Sequence, residues 1–434
     1  MIQVREYALF TSDHEAVPSL DMAVVSEGTF DWLKSLKSSW SKSKKKILIE
    51  SAQYLKIGSY VGFLQSPDGT EIEILPKTQD SNPCDAEISQ NRALLLDMVL
   101  SSLRVKPREG GPANLTMLDT PIHEWIFSQF LKELSELYKR GFRNDYQNIE
   151  EENRFIKGQF NVARQVRQPP GRNNYFHIRY DVFTPDILEN KVLKSALDFV
   201  FKQTKDSDNW RLANELRHQL IDLEASKKPV IDISRWRNTR LLHNYKSVYP
   251  WCNLIINMLN PAFQSGSNEG ISLLFPMERL FENYVESCLK QQLKLGCKIQ
   301  GQASSKYLVT HQASGNNEPH NWFLLKPDLL LTSPSGISVM DAKWKRLDSS
   351  KSSTEHKYNI SQSDLYQLYA YGQKYMDGKG AMMLIYPKRH SFDYPLPVFR
   401  FDDDLQLWVV PFDLYEKSLV KGEWLPEFPG LSCA

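Results

Sequence analysis

The chain has 434 residues, of which 41% are hydrophobic and 24% are charged, and 53 basic residues nearly balance 52 acidic ones. This composition excludes a disordered chain and a uniformly cationic one, and the length predicts two or three domains. A net charge near zero does not exclude a nucleic-acid partner, because phosphate binding needs only a local basic face.

The five cysteines are scattered along the chain, and they match neither a disulfide framework nor a CxxC metal motif. The first residues lack the apolar run of a signal peptide, and no stretch approaches 18 uninterrupted apolar residues. We therefore expect a cytoplasmic protein with no membrane partner.

Residues 1–88 predict a β-rich N-terminal domain. Two short apolar runs, 59–65 and 71–77, flank the turn sequence Pro67-Asp68-Gly69, which is typical of a β-hairpin. A polar stretch at 78–89 indicates the end of this domain.

Residues 89–260 change to a helical period, with apolar residues recurring at three and four. Helices are predicted from Asn91, from Pro121 and from Ile187, and Gly141 suits the end of the second. This segment is predicted to be a mainly helical domain.

Residues 261–434 show a mixed pattern that predicts an α/β sheet domain. The predicted order is a helix from Pro276, strands at 321–332 and 337–344 around a turn at Ser333, a helix from Ser361 and a last strand from Ala381. The whole chain is thus expected to be a multidomain α+β protein.

Two aspartates interrupt the apolar strands of this last domain. If the two strands form a hairpin centred between Pro334 and Ser335, Asp328 lies opposite Asp341, and Lys343 shares the face of Asp341. Neighbouring carboxylates repel each other unless a cation lies between them, and their oxygens suit Mg²⁺ or Mn²⁺. The lysine can orient or deprotonate a metal-bound water, or offset phosphate charge. The pattern predicts phosphodiester hydrolysis.

Further residues are candidates for the same site, although their sequence patterns are less specific. Gln367 and Tyr371 fall on one face of the next helix, and Glu282 on the preceding helix offers a third carboxylate. Three cations near the site are candidates for phosphate contacts: Lys345, Arg346 and Lys351. Taken singly, each of these residues fits packing or a solvated surface equally well.

The sequence contains no GxxxxGK[ST] phosphate loop, so the chain is not itself a nucleotide-driven motor. It also has no HExxH motif and no GxSxG motif, which disfavours zinc and serine-hydrolase chemistry.

The order Glu282, Pro327-Asp328, Asp341-Ala342-Lys343, Gln367-x-x-x-Tyr371 resembles the PD-(D/E)xK nuclease superfamily, in its branch with a QxxxY helix. Further blocks resemble the McrC family of nuclease subunits from McrBC restriction systems. These blocks are VGFLQSPDGTEIEILPK (61–77), YKRGFRNDYQ (138–147), FIKGQF (155–160), LENKVLKSAL (188–197), DLYQLYAY (364–371) and LIYP (384–387).

The resemblance implies roles for the site residues. Asp328 and Asp341 would bind Mg²⁺ together with the Ala342 carbonyl and possible help from Glu282, and Lys343 would be the catalytic lysine. Gln367 and Tyr371 would position DNA or the water network around the metal.

The resemblance also implies a partner. McrC acts with McrB, a hexameric AAA+ GTPase that binds the GTP, recognises methylated cytosine in double-stranded DNA and is stimulated by McrC. The helical segment would dock on this motor, and the role of residues 1–88 is open. Two alternatives remain: a non-catalytic DNA-binding adaptor of the ring, and a stand-alone repair or mobile-element nuclease of the same fold.

Overall fold

The computed structural model describes residues 1–42, 47–51, 53–78, 85–105, 120–172, 174–237, 239–258, 270–312 and 318–431. The chain divides into two compact units. Unit 1 combines Met1–Asp119 with Leu274–Ala434, and unit 2 is Thr120–Leu273. The first and last of the three predicted segments therefore share one unit. The predicted boundaries fall partly on 79–84 and 259–269, which lie outside the described residues.

The N-terminal part of unit 1 contains two small sheets and two helices. Its strands are β1 (Ile2–Arg5), β2 (Leu9–Thr11), β3 (Met22–Val24), β4 (Leu48–Glu50), β5 (Leu55–Ile57), β6 (Tyr60–Gln65) and β7 (Glu71–Leu75), and its helices are α1 (Glu27–Lys42) and α2 (Asp85–Leu103). The predicted hairpin is confirmed, because β6 and β7 pair antiparallel across a turn in which Gly69 has a φ of 87°.

Helix α2 belongs to unit 1 rather than to the helical middle segment in which its sequence was predicted to lie. A buried ion pair joins it to the hairpin, since Arg92 Nε donates to Glu73 Oε1 at 3.0 Å and neither side chain is more than 6% exposed. The helical period identifies this helix, but only the ion pair and the packing decide which unit it joins.

Unit 2 contains the predicted helices and a sheet that the sequence does not predict. Its elements are α3 (Ile122–Arg140), β8 (Asp145–Asn153), β9 (Gln159–Phe160), α4 (Val162–Gln165), β10 (Phe176–Thr184), α5 (Leu188–Gln203), α6 (Ser207–Gln219), α7 (Pro229–Ser234) and α8 (Tyr249–Met258). Strand β10 pairs antiparallel with β8 on one side and β9 on the other. The prediction missed this sheet within a mainly helical segment, in part because β8 is polar and partly exposed and so lacks the apolar alternation that identifies a strand.

The C-terminal part of unit 1 is built on a large sheet. Its elements are β11 (Ile271–Pro276), which begins in unit 2, α9 (Met277–Gln291), β12 (Lys298–Gly301), β13 (Lys306–His311), β14 (His320–Leu325), β15 (Leu329–Ser333), β16 (Gly336–Ala342), α10 (Gln362–Tyr375), β17 (Gly380–Pro387), β18 (Phe399–Arg400), β19 (Leu405–Asp413) and β20 (Ser418–Leu419). The order is β12-β15-β16-β17-β19-β18, in which the parallel strands β16, β17 and β19 are flanked on both sides by antiparallel pairs.

The two helices pack on different sets of alternating side chains of this sheet. Leu368 and Tyr371 of α10 join a buried cluster with Met382, Leu384 and other side chains of the sheet. On α9, Phe281 and Tyr284 make ring contacts with Phe412 of β19. Strand alternation places Phe412 on the opposite face of the sheet from the β19 residues of that cluster. The sheet is therefore enclosed between the two helices that carry the candidate site residues Glu282 and Gln367.

Two strand predictions need correction. The single strand predicted at 321–332 is two strands, because Pro327 cannot donate a ladder hydrogen bond and the backbone leaves the β13–β14 hairpin there. The strand predicted from Ala381 is not the last, since β19 lies parallel to it and contains Pro411, a residue that weakens a strand signal. No helix in the described parts of the chain is long and apolar enough to cross a membrane.

Candidate active site

The hairpin of β15 and β16 brings the two aspartates together. Leu329 lies opposite Met340 and Ser333 opposite Gly336, which is the predicted register. Asp328 directly precedes β15, and Asp341 follows Met340 on β16, so the two aspartates lie at the same end of this ladder. Oδ2 of Asp328 accepts a hydrogen bond from the Ala342 backbone N–H at 3.0 Å. This bond holds the first carboxylate against the end of the strand that carries the second.

Lys343 lies beside both carboxylates. Its Nζ is 2.6 Å from Oδ2 of Asp341 and 3.7 Å from Oδ2 of Asp328. The Asp341 side chain is 1% exposed and that of Asp328 is 13% exposed, whereas Lys343 keeps 18% exposure. Lys343 is thus the most exposed member of the cluster, and Asp341 is the most buried.

The charges of the cluster perturb one another. Burial raises the pKa of Asp341 above its ordinary value, and the negative charge of Asp328 raises it further. Burial also raises the pKa of Asp328. Burial alone would lower the pKa of Lys343, but the two aspartates outweigh it and raise the pKa well above its ordinary value. Lys343 is therefore a persistent cation in this arrangement, which favours charge compensation over proton abstraction.

The donor set fits a divalent cation through two carboxylates. Oδ1 of Asp341 is buried and has no hydrogen-bond partner among the described residues. The pKa values of both adjacent carboxylates are raised, and a hard cation would stabilise their charged forms. Ala342 contributes its N–H to Asp328, and the role of its carbonyl stays a prediction.

Glu282 of α9 lies within electrostatic range of the cluster but does not complete a third ligand position. Burial raises its pKa, Lys343 lowers it and Asp341 raises it. No three His, Cys, Asp or Glu side chains in the described residues are arranged to hold a metal ion. The structure therefore brings Glu282 near the two aspartates without placing it in a ligand group with them.

Gln367 and Tyr371 of α10 support the segment that precedes Asp328. Gln367 Nε2 donates to the Tyr371 hydroxyl at 2.7 Å, and this hydroxyl donates to the Lys326 carbonyl at 2.9 Å. One turn later, the Tyr375 hydroxyl donates to the Leu325 carbonyl at 3.1 Å. Tyr375 was not predicted as a site residue, although its spacing of four from Tyr371 was a signal.

The three predicted DNA-binding cations have different surroundings. Lys345 Nζ contacts both carboxylate oxygens of the buried Asp364, at 3.0 and 2.8 Å. Lys351 lies 3.4 Å from Asp348. Arg346 lines a cavity together with residues of the N-terminal strands. Lys345 therefore also fixes α10 to the strand that carries the cluster.

A contact from the N-terminal part of unit 1 reaches the strand end beside Lys343. The buried Trp344 donates its indole N–H to Oε1 of Glu6 at 2.8 Å. The same carboxylate accepts hydrogen bonds from the Lys77 backbone N–H and the Ser59 hydroxyl. Burial raises the pKa of Glu6. No spacing in the sequence could indicate this contact, because the two residues are 338 positions apart in the chain.

The fold and the site define a mixed α/β multidomain protein with a buried carboxylate–lysine cluster at a strand end. The model of the family "McrBC 5-methylcytosine restriction system component" matches residues 55–387, and the chain belongs to this family. The predicted family resemblance is thereby confirmed.

The chain is also similar to one curated protein and, in fold, to one solved structure. The Type IV methyl-directed restriction enzyme EcoKMcrBC of Escherichia coli K12 is 25% identical over 272 residues, which cover 59% of this chain and 74% of that protein. The fold is similar to that of a solved chain in a half-complex of Thermococcus gammatolerans McrB AAA+ hexamers with bound McrC. That match has a TM-score of 0.65 and 18% identity, and it covers 98% of each chain.

Proposed function

We propose that this chain is the DNA endonuclease subunit of a McrBC-like restriction system. It would cleave double-stranded DNA that contains methylated cytosine, in a complex with a McrB-like AAA+ GTPase that it stimulates. The observation that carries this proposal is the buried cluster of Asp328, Asp341 and Lys343 on adjacent strands. A nuclease domain of the PD-(D/E)xK type is the fold that this proposal assigns to the large sheet.

In this proposal Asp328 and Asp341 hold Mg²⁺, for which Mn²⁺ can substitute, with the Ala342 carbonyl as a further ligand. A bound divalent ion supplies polarisation of the phosphate and an acidified water. Lys343 remains an ammonium group and donates a hydrogen bond to a phosphate oxygen, where it offsets negative charge. Gln367 and Tyr371 fix the backbone that carries Asp328, so that the two carboxylates stay in register.

The GTPase would be a separate protein, since the sequence lacks a phosphate loop. We assign docking on this motor to unit 2. Its polar sheet carries exposed aromatic side chains, among them Tyr146, Phe160 and Phe183, whose exposed fractions range from 41% to 70%. Exposed aromatic side chains on a solvated sheet suit a protein interface.

The test is cleavage of methylated and unmethylated plasmid by the purified chain with Mg²⁺ and GTP. Each reaction is run with and without the AAA+ GTPase encoded by a neighbouring gene. We expect cleavage only of methylated DNA and only with the partner. Cleavage by the chain alone would instead indicate an autonomous nuclease, and GTPase stimulation without cleavage would indicate an adaptor.

The matched variants are Asp341→Ala and Asp403→Ala. Asp403 is an exposed aspartate of the same unit, far along the chain from the cluster. Asp341→Ala should abolish cleavage and leave GTPase stimulation intact, and Asp403→Ala should cleave like the wild type. Equal cleavage by both variants would contradict the assignment of the site.

A further inference from the structure

We infer that unit 1 contains a second DNA contact, a basic cavity that binds a backbone phosphate outside the catalytic cluster. The N-terminal strands and the segment after Lys343 build this cavity together. The inference rests on the proposed function, since it takes DNA as the ligand. It also gives a role to residues 1–88, which the family resemblance leaves open.

The cavity has a volume of about 620 Å³ and an excess of positive charge. Five cationic side chains line it: Lys56, Lys77, Lys345, Arg346 and Arg389. Among the described residues, two carboxylates, Glu6 and Asp21, line it with them. An ammonium and guanidinium lining of this kind is the chemistry that recognises phosphate oxygens.

Both carboxylates are engaged by the protein itself. Asp21 accepts hydrogen bonds from the Arg5 guanidinium and from Lys77 Nζ, the latter at 2.9 Å. Glu6 is 1% exposed and accepts the Trp344 indole N–H. Lys345 in turn forms an ion pair with Asp364. Among the described residues, the lining therefore carries five cationic side chains against two carboxylates.

The walls of the cavity are joined by buried hydrogen bonds, so its shape is built into the fold. The Glu6–Trp344 bond is 2.8 Å long, and the Arg389 guanidinium donates to the Lys77 carbonyl. Each bond links an N-terminal residue to the large sheet. The two bonds thereby fix the N-terminal cations relative to the strand end.

The cavity is distinct from the catalytic cluster. Asp328, Asp341 and Lys343 do not line it, whereas Trp344 and Lys345, which directly follow Lys343, do. A phosphate in the cavity would therefore flank the phosphate that is cut. Such a contact positions the duplex without reading its sequence.

The test measures DNA affinity of the full chain as a function of salt concentration, without Mg²⁺, by fluorescence anisotropy on methylated and unmethylated duplexes. Lys56 and Arg346 are exposed, so Lys56→Ala and Arg346→Ala should keep the wild-type melting temperature. Each variant should reduce the slope of log K against log salt by about 0.9 and should weaken binding of both duplexes equally.

Lys34→Ala is the matched control, because Lys34 is a partly exposed lysine of the same unit that does not line the cavity. An unchanged slope in both cavity variants would overturn the inference. Loss of partner binding at an unchanged slope would overturn it in favour of an acidic protein ligand. Binding of inorganic phosphate that Lys56→Ala abolishes, again with an unchanged DNA slope, would overturn it in favour of a free anion. A wild-type chain that binds no DNA would contradict the proposed function itself.

Discussion

Tyr371→Phe tests whether α10 positions the catalytic aspartates or touches the substrate. The change removes one hydroxyl and leaves the ring in its buried place. That hydroxyl accepts the Gln367 amide at 2.7 Å and donates to the Lys326 carbonyl at 2.9 Å. Lys326 is two residues before Asp328, so the lost hydrogen bonds are those that hold the backbone just before this proposed metal-binding aspartate.

The expected loss follows from these two hydrogen bonds. A typical intramolecular hydrogen bond contributes about 1 kcal/mol net, so the supported conformation weakens by roughly 2 kcal/mol. This free energy corresponds to about a 30-fold change in the population of the correct geometry. We therefore expect the cleavage rate at saturating DNA to fall roughly 10- to 100-fold, with no change in DNA affinity.

The assay is single-turnover cleavage of methylated plasmid with the partner, Mg²⁺ and GTP, combined with anisotropy measurements of DNA binding. Tyr366→Phe is the control, because Tyr366 lies on the same helix, is 66% exposed and accepts a hydrogen bond from the Gln362 amide of that helix. A wild-type rate for Tyr371→Phe would refute the positioning role. A weakened DNA affinity at an unchanged rate would show that Tyr371 contacts DNA instead.

Three further predictions concern charge. Burial and the charge of Asp328 raise the pKa of Asp341 from 3.8 to about 7, so the metal-free protein should lose stability as the pH rises across that interval. Melting curves against pH should show a smaller loss in Asp341→Asn. Addition of 1 mM Mg²⁺ above pH 7, roughly a thousandfold over a micromolar Kd, should restore about 4 kcal/mol to the wild type only. Lys345→Ala leaves the buried Asp364 carboxylate unpaired, so the unfolding free energy should fall by about 1–3 kcal/mol, and a melting temperature equal to that of the wild type would contradict this. Glu73→Ala removes the carboxylate that pairs with the buried Arg92 guanidinium, so urea denaturation should show a loss of about 3–5 kcal/mol. Asp31→Ala, in the exposed pair with Lys34, should cost less than about 1 kcal/mol.

The central part of the candidate site was predictable because its contacts are local in sequence. Asp328 and Asp341 meet across a hairpin whose tight turn fixes the register, and strand alternation then places Lys343 beside them. The contact between Gln367 and Tyr371 follows from the helical repeat. In each case a short sequence spacing and the known period of a strand or helix are sufficient to predict the contact.

The environment of the cluster was decided only by the tertiary structure. No local pattern relates Glu6 to Trp344, which meet because the N-terminal strands pack on the large sheet. No local pattern shows that Lys345 is held by Asp364, while Arg346 lines a cavity. Burial and charge proximity also set the pKa values of the aspartates, and both depend on every element packed around them.

The same division holds for the fold. Helical periods predict α3, α5 and α10, because an amphipathic face is written into the residues of one segment. Strand β8 has no such face because its residues are polar, and it is stabilised by hydrogen bonds to β10, whose alternating apolar and polar residues are a strand signal that the prediction missed. Those bonds join segments about 30 residues apart, and the free energy of such pairing depends on chain closure and on neighbouring strands rather than on any local repeat. The sequence alone thus determined the identity of the catalytic candidates, and tertiary packing determined their charge states, their supports and the surface that surrounds them.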